Sequence, residues 1–285
     1  MALSIRQAGP DDAKACGRIC FDAFAAIANA HNFPPDFPNV EAGVHLVTMM
    51  LAHPGVFGVV AEEGGKIVGS KFLDERGTIS GVGPISVDPE VQNRGVGRML
   101  MQAVMQRSAD RNHAGIRLLQ AGYYCRSFSL YSKLGFAVRE HLTCLTGKPI
   151  ARQIASYEVR TATDGDIAAC DALCTQAHGV DRHAEVEDAM KQHAAHVVER
   201  GGKITGYATH IAYFGHAVAE TTEDLKALIA NAAAIPHPGF LVPSRNGELL
   251  RWCFANGLRM SQSLTLMTMG LYNEPARAWL PSILY

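Results

Sequence analysis

Long apolar runs are missing from this 285-residue chain. No stretch approaches the roughly 20 residues a membrane-spanning helix needs. An excess of one charge is missing too. The formal net charge is -1, and the halves on either side of residue 150 carry +2 and -3. Neither has the basic surface expected of a nucleic-acid or membrane binder, so no such partner is expected. Seven cysteines include no C-x-x-C and no paired framework, which excludes a disulfide scaffold and fits a reducing cytoplasm. The opening residues, Met1 to Arg6, lack the charged and apolar regions of a secretory leader. Two phosphate signatures are absent: Leu100 stands where a third glycine would complete G-x-G-x-x-G, and there is no Gly-Lys-Ser/Thr. Nor is there an H-E-x-x-H, so no metal is expected. What is present is 48% hydrophobic and 19% charged residues, the composition of globular domains long enough for two cores.

The most informative stretch is 85–98. A strand-like run containing Ile85 and Val87 stops at Pro89, and Gln92 to Gly97 read Q-x-x-G-x-G. A helical pattern then runs through Val96, Leu100, Ala103 and Val104. Strand, glycine turn and helix start form a layout that can hold phosphate. Glycine lets backbone approach a ligand, and the first helical turn has N–H groups without internal partners and partial positive charge. Arg94 and Arg98 flank it.

About thirty residues later comes Leu130-Tyr131-Ser132-Lys133-Leu134-Gly135-Phe136. V-x-P-x-x-Q-x-x-G-x-G followed by L-Y-x-x-x-G-F resembles the GNAT (Gcn5-related N-acetyltransferase) superfamily over about residues 3–146. The resemblance implies that Gln92, Asn93, Arg94, Gly95, Val96, Gly97 and Arg98 bind the pyrophosphate of acetyl-CoA. It implies that the backbone of Ile85, Ser86 and Val87, at a bulge, bonds the pantetheine amides, and that Tyr131 is the general acid. Many family members carry asparagine seven residues before the tyrosine. Here Tyr124 stands there, which leaves Ser127 as a further polar contact.

Along the chain, the pattern predicts a strand at 5–8 and a helix opened by Asp11 and Asp12. A proline-bounded loop from His31 to Pro38 follows, with two phenylalanines and a histidine, and reads either as a rigid connector or as an acceptor-site wall. A helix over 41–51, a hairpin 56–73 turning at Gly64-Gly65, and a strand 78–87 interrupted at Gly81, Gly83 and Pro84 come next. Then come the helix 96–111, the strand 116–119 and the helix 125–134.

The second half is a worn copy of the first. Val159 to Ala162 matches Ile5 to Ala8 at an offset of 154, and Asp12, Cys16 and Cys20 recur as Asp166, Cys170 and Cys174. Glu63 to Gly69 resembles Arg200 to Gly206. The expected architecture is α/β: two tandem GNAT-like domains, 1–149 and 150–285, each a central mixed β-sheet flanked by helices. Where the glycine turn should recur the chain has Glu220-Thr221-Thr222-Glu223-Asp224, which caps a helix well but repels a diphosphate. Trp252-Cys253 replaces Leu130-Tyr131, and Asn246 reads as a helix cap. One CoA site per chain is expected. The apolar tail, Leu271 to Tyr285, is expected to dock as an edge strand.

The expected chemistry is acetyl transfer from acetyl-CoA, as co-substrate, to a small-molecule or exposed protein amine. The rival is a non-catalytic acyl-CoA sensor. The strand 78–87 lacks the carboxylate that family members often use as base, leaving Asp74, Glu75, His31 and His45 as candidates. His193 and His196, three apart on an expected helix, have a spacing that metal sites use, but they read as a solvated face.

Overall fold

The computed structural model describes residues 3–284, so the expectations resting on Met1, Ala2 and Tyr285 lie outside it. The chain divides into two compact units, 1–118 with 123–136 and 119–122 with 137–285. No helix among the described residues is long and apolar enough to cross a membrane.

In the first unit the order is β1 (Leu3–Gln7), α1 (Ala13–Ala30), α2 (Val40–Ala52), β2 (Val56–Glu63), β3 (Lys66–Asp74), β4 (Ile79–Val87), α3 (Val96–Asp110), β5 (Gly115–Ala121, whose residues from 119 on count with the second unit) and α4 (Cys125–Lys133). The strands lie side by side in chain order, antiparallel except that β4 and β5 run parallel. Cys16 and Cys20, one helical turn apart, are fully buried on α1 and pack with Val47 and Phe72. Asn39 starts α2, its Oδ1 accepting from the Ala42 N–H at 2.9 Å. Gly64 and Gly65 both have positive φ, as the tight hairpin turn requires.

The second unit opens with β6 (Ala137–Thr146), which precedes the expected domain boundary at 149–150. Then follow β7 (Glu158–Thr161), α5 (Ile167–His178), α6 (His183–Lys191), β8 (His196–Arg200), β9 (Lys203–Ala208), β10 (Ala217–Ala219), α7 (Thr222–Asn231), β11 (Phe240–Pro243), α8 (Gly247–Ala255), β12 (Arg259–Gly270) and β13 (Ala278–Leu280). β6 pairs with both β11 and β12. The tail forms the edge strand β13, antiparallel to β10.

The duplication extends to side chains. In the first unit Arg6 bonds both Asp12 and Glu62, and Asp12 accepts from the Gly9 N–H. In the second, Arg160 bonds both Asp166 and Glu199, and Asp166 accepts from the Thr163 N–H. The β2–β3 and β8–β9 hairpins share a register shift at the same step, after Ala61 and after Val198. One expectation fails. His193 and His196 do not share a helix, because α6 ends at Lys191, His193 has φ 54 and His196 begins β8. Alanine-rich composition misled there; a left-handed residue ends a helix whatever its neighbours prefer.

Candidate active site

The site grows from the end of β4. This strand pairs with β3 as far as Val87, but with β5 only from Ile79 to Val82. Gly83 and Pro84 follow, opposite a register shift between Lys71 and Leu73. Proline has no N–H for a ladder, and beyond it Ile85 and Val87 border a cleft.

After Val87, Gln92 Nε2 donates back to the Val87 carbonyl at 3.1 Å. Asn93 (φ 71) and Gly95 (φ 88) then bend the chain into α3. Gly95 is the N-cap and supplies no side-chain cap. The first N–H to bond back is that of Met99, to the Gly95 carbonyl at 3.1 Å. The donors before it are the ones a helix leaves for an outside acceptor. A Cβ at Gly95 would meet nothing within 4 Å, whereas one at Gly97 would make ordinary contact with Leu130, Ile85 and Val87. Conformation therefore demands glycine at 95; packing tolerates a methyl at 97.

The cleft has a volume of about 620 Å³. It brings together Ile85, Val87, Gln92, Asn93, Gly95, Val96, Gly97, Arg98, Ser127 and Tyr131. Two predicted residues do not border it with their side chains, though the role expected of Ser86 is a backbone one. Ser86 is buried with its side chain beside Cys20, because alternate strand residues face opposite sides. Arg94 is turned to Glu63, 3.5 Å away. Tyr131 is buried, with Phe136 edge-on at 6.2 Å. Burial, with a smaller contribution from Tyr124, raises its phenol above the ordinary value, so it is protonated at neutral pH. Ser127 Oγ donates to the Tyr124 carbonyl at 3.0 Å.

Sequence reasoning missed Arg126. Its guanidinium bonds the Asn93 side chain and lies 3.4 Å from Gln92 Oε1, adding a cation beside the helix start. Its place on α4, distant in sequence from the glycine turn, gave no signal. Cys125, also on the cleft, is exposed while the other six cysteines are buried.

Of the four candidate bases, Asp74 is paired with Arg76 and Glu75 with Arg107 at 2.6 Å. His45 is exposed on α2. His31 alone meets a cleft residue, its ring 5.8 Å from that of Tyr124 and 5.4 Å from that of Tyr123. Its Nδ1 lies 2.8 Å from the Ile27 carbonyl. A carbonyl can only accept, so Nδ1 carries a hydrogen, and in the neutral ring the lone pair is on Nε2. Phe33 stacks on Tyr123 at 4.0 Å, tying the 31–38 loop to the start of α4.

The corresponding place in the second unit is filled. Matching registers make Ala217–Ala219 the counterpart of Ile85–Val87, and that edge of β10 is covered by β13. Only Glu220 and Thr221 separate β10 from α7. Thr221 and Asp224 form a capping box, and the buried Asp224 also accepts from Thr205 Oγ1. Asn246 caps α8, accepting from the Leu249 N–H at 3.1 Å.

Comparison with known proteins bears on the fold. Residues 54–138 match the family described as "Acetyltransferase (GNAT) domain". Among solved structures, the chain is similar to a protein of Pyrococcus horikoshii described as an acetyltransferase, at 18% identity and TM-score 0.73, over 97% of this chain and 92% of that one. It is similar to a GCN5-related N-acetyltransferase from Sphaerobacter thermophilus, at 15% identity and TM-score 0.64, over 95% and 96%. It is also similar to a tandem GNAT protein from the clavulanic acid biosynthesis pathway, at 14% identity and TM-score 0.58, over 94% and 98%. At these identities the likeness is one of fold. No curated protein matches.

Proposed function

We propose that the chain is a tandem-domain member of the GNAT superfamily, which its matched segment and its fold support, and that it transfers the acetyl group of acetyl-CoA to a primary amine, on a small molecule or an exposed protein. The observation that carries this reading is the convergence on one cleft of the β4 edge, the uncapped start of α3 and Tyr131. The amides around Gly95, with Arg98 and Arg126, suit a diphosphate. The open backbone at Ile85–Val87 suits the amides of a pantetheine arm. The acceptor nitrogen attacks the thioester carbonyl; the C–N bond forms and the C–S bond breaks. Tyr131 gives its proton to the leaving sulfur, and His31 Nε2 takes the proton from the amine. In the second unit, among the described residues, β13 and Asp224 occupy the places that comparable donors would hold. One CoA per chain follows.

The test is release of free thiol from acetyl-CoA across a panel of amines. Tyr131→Phe should lower kcat by roughly 10²-fold or more while leaving the KM for acetyl-CoA nearly unchanged. If CoA binds but no amine raises thiol release above background, and Tyr131→Phe changes nothing, the protein is a non-catalytic acyl-CoA sensor.

A further inference from the structure

Lys71, in the middle of β3, is 1% exposed. Its Nζ donates to the Gly83 carbonyl at 2.6 Å. Burial alone sets its titration, driving the pKa well below the ordinary lysine value. An amine taken out of water without a carboxylate is an expensive core residue, and the acceptor that Lys71 meets is a particular peptide carbonyl. Gly83 follows directly on Val82, the last β4 residue paired with β5. It stands opposite the shift that separates the Lys71–Ile85 and Leu73–Val82 pairs.

The second unit supplies the comparison. Lys71 pairs with Val59 and Ile85; its counterpart Ala208 pairs with His196 and Ala217. With alanine there, β10 is three residues long, its β9 register is continuous and its other edge is covered by a strand. With lysine, β4 departs from β5 and its far end borders a cleft. Amine, irregularity and open edge occur together in one copy and are absent together from the other.

We propose that Lys71 is a positioning residue: by holding the Gly83 carbonyl it keeps β4 splayed from β5, and so presents the Ile85–Val87 backbone to the pantetheine amides of an acyl-CoA. This rests on the acetyl-CoA reading above. Lys71 need not touch the reacting atoms, and the diphosphate grip at Gly95 does not depend on it.

Calorimetry with two probes tests this: acetyl-CoA, and ADP, which has the diphosphate but no pantetheine arm. In Lys71→Met the melting temperature should be unchanged or higher. ADP affinity should stay within about threefold of the parent, while acetyl-CoA binding weakens about tenfold or more. Lys71→Gln keeps a donor for the carbonyl and should restore acetyl-CoA binding to within about threefold. Parent-like acetyl-CoA binding by Lys71→Met overturns the proposal, as does a parallel loss for both probes. If Lys71→Met does not fold, Lys71→Gln decides: parent-like acetyl-CoA binding supports the proposal and a tenfold loss overturns it. Failure of the unaltered protein to bind acetyl-CoA would refute the acetyltransferase reading instead.

Discussion

Replacing Gly95 by glutamate should separate folding from binding. Gly95 sits at φ 88, where any side chain strains the backbone, so the substitution costs about 1–2 kcal/mol of stability. Beyond its neighbours along the chain, no described residue comes within 4 Å of the added Cβ, so the Cβ itself brings no clash. A carboxylate at a helix start recovers about 0.3–1 kcal/mol through the helix dipole. The net loss is therefore about 1 kcal/mol, a melting shift of only a few degrees. Binding is another matter. The new charge stands where the diphosphate would lie, and each like-charge pair near 4 Å costs about 1 kcal/mol in water and about 4 kcal/mol at a partly shielded surface. Two such pairs give about 2–8 kcal/mol, at least a roughly 30-fold rise in Kd. Gly95→Asn, neutral and tolerant of the left-handed region, should bind far better than Gly95→Glu. Titration calorimetry beside thermal melts reads both effects. Glutamate and parent proteins that bind coenzyme A with equal affinity would refute the reasoning.

Other consequences can be checked with equal directness. Cys125 is the exposed cysteine and lines the cleft, so acetyl-CoA, which has no free thiol, should protect it from maleimide; unchanged labelling at saturating ligand would contradict the placement. The Asp12 and Asp166 carboxyls are held below their ordinary value, chiefly by Arg6 and Arg160. A folded pKa below the unfolded one gives stability that is present above about pH 4 and lost as pH falls through the folded value. Urea melts from neutral to acid pH should therefore show a steeper fall for the parent than for Asp12→Asn or Asp166→Asn. Those variants should also be about 1 kcal/mol less stable at neutral pH, where the charge-assisted bonds are weakened.

Much of the fold was legible in the sequence because its signals are local. Gly64-Gly65 marks a hairpin turn by its conformation, Thr221 in the 220–224 stretch marks a helix start, and Cys16 and Cys20, recurring as Cys170 and Cys174, lie buried on their helices. The glycine turn and Tyr131 could be found because their spacing is fixed by strand and helix lengths. What escaped depends on distant pairing. The partnership of β6 with β11 and β12 brings together residues about a hundred positions apart, and no local pattern encodes it. Arg126 joins the glycine turn through a fold contact. Nothing in the sequence marks Lys71 as buried, since lysine in a strand is usually exposed. Arg94 carried the right charge in the right motif, yet the turn aims it at Glu63.

The central claim is that one nucleotide-diphosphate site exists per chain, built on Gly95. Calorimetric titration of coenzyme A into the intact protein tests it most directly. The account predicts heat that saturates at one ligand per chain and vanishes in Gly95→Glu. Absence of heat, or saturation at two equivalent ligands per chain, would contradict it.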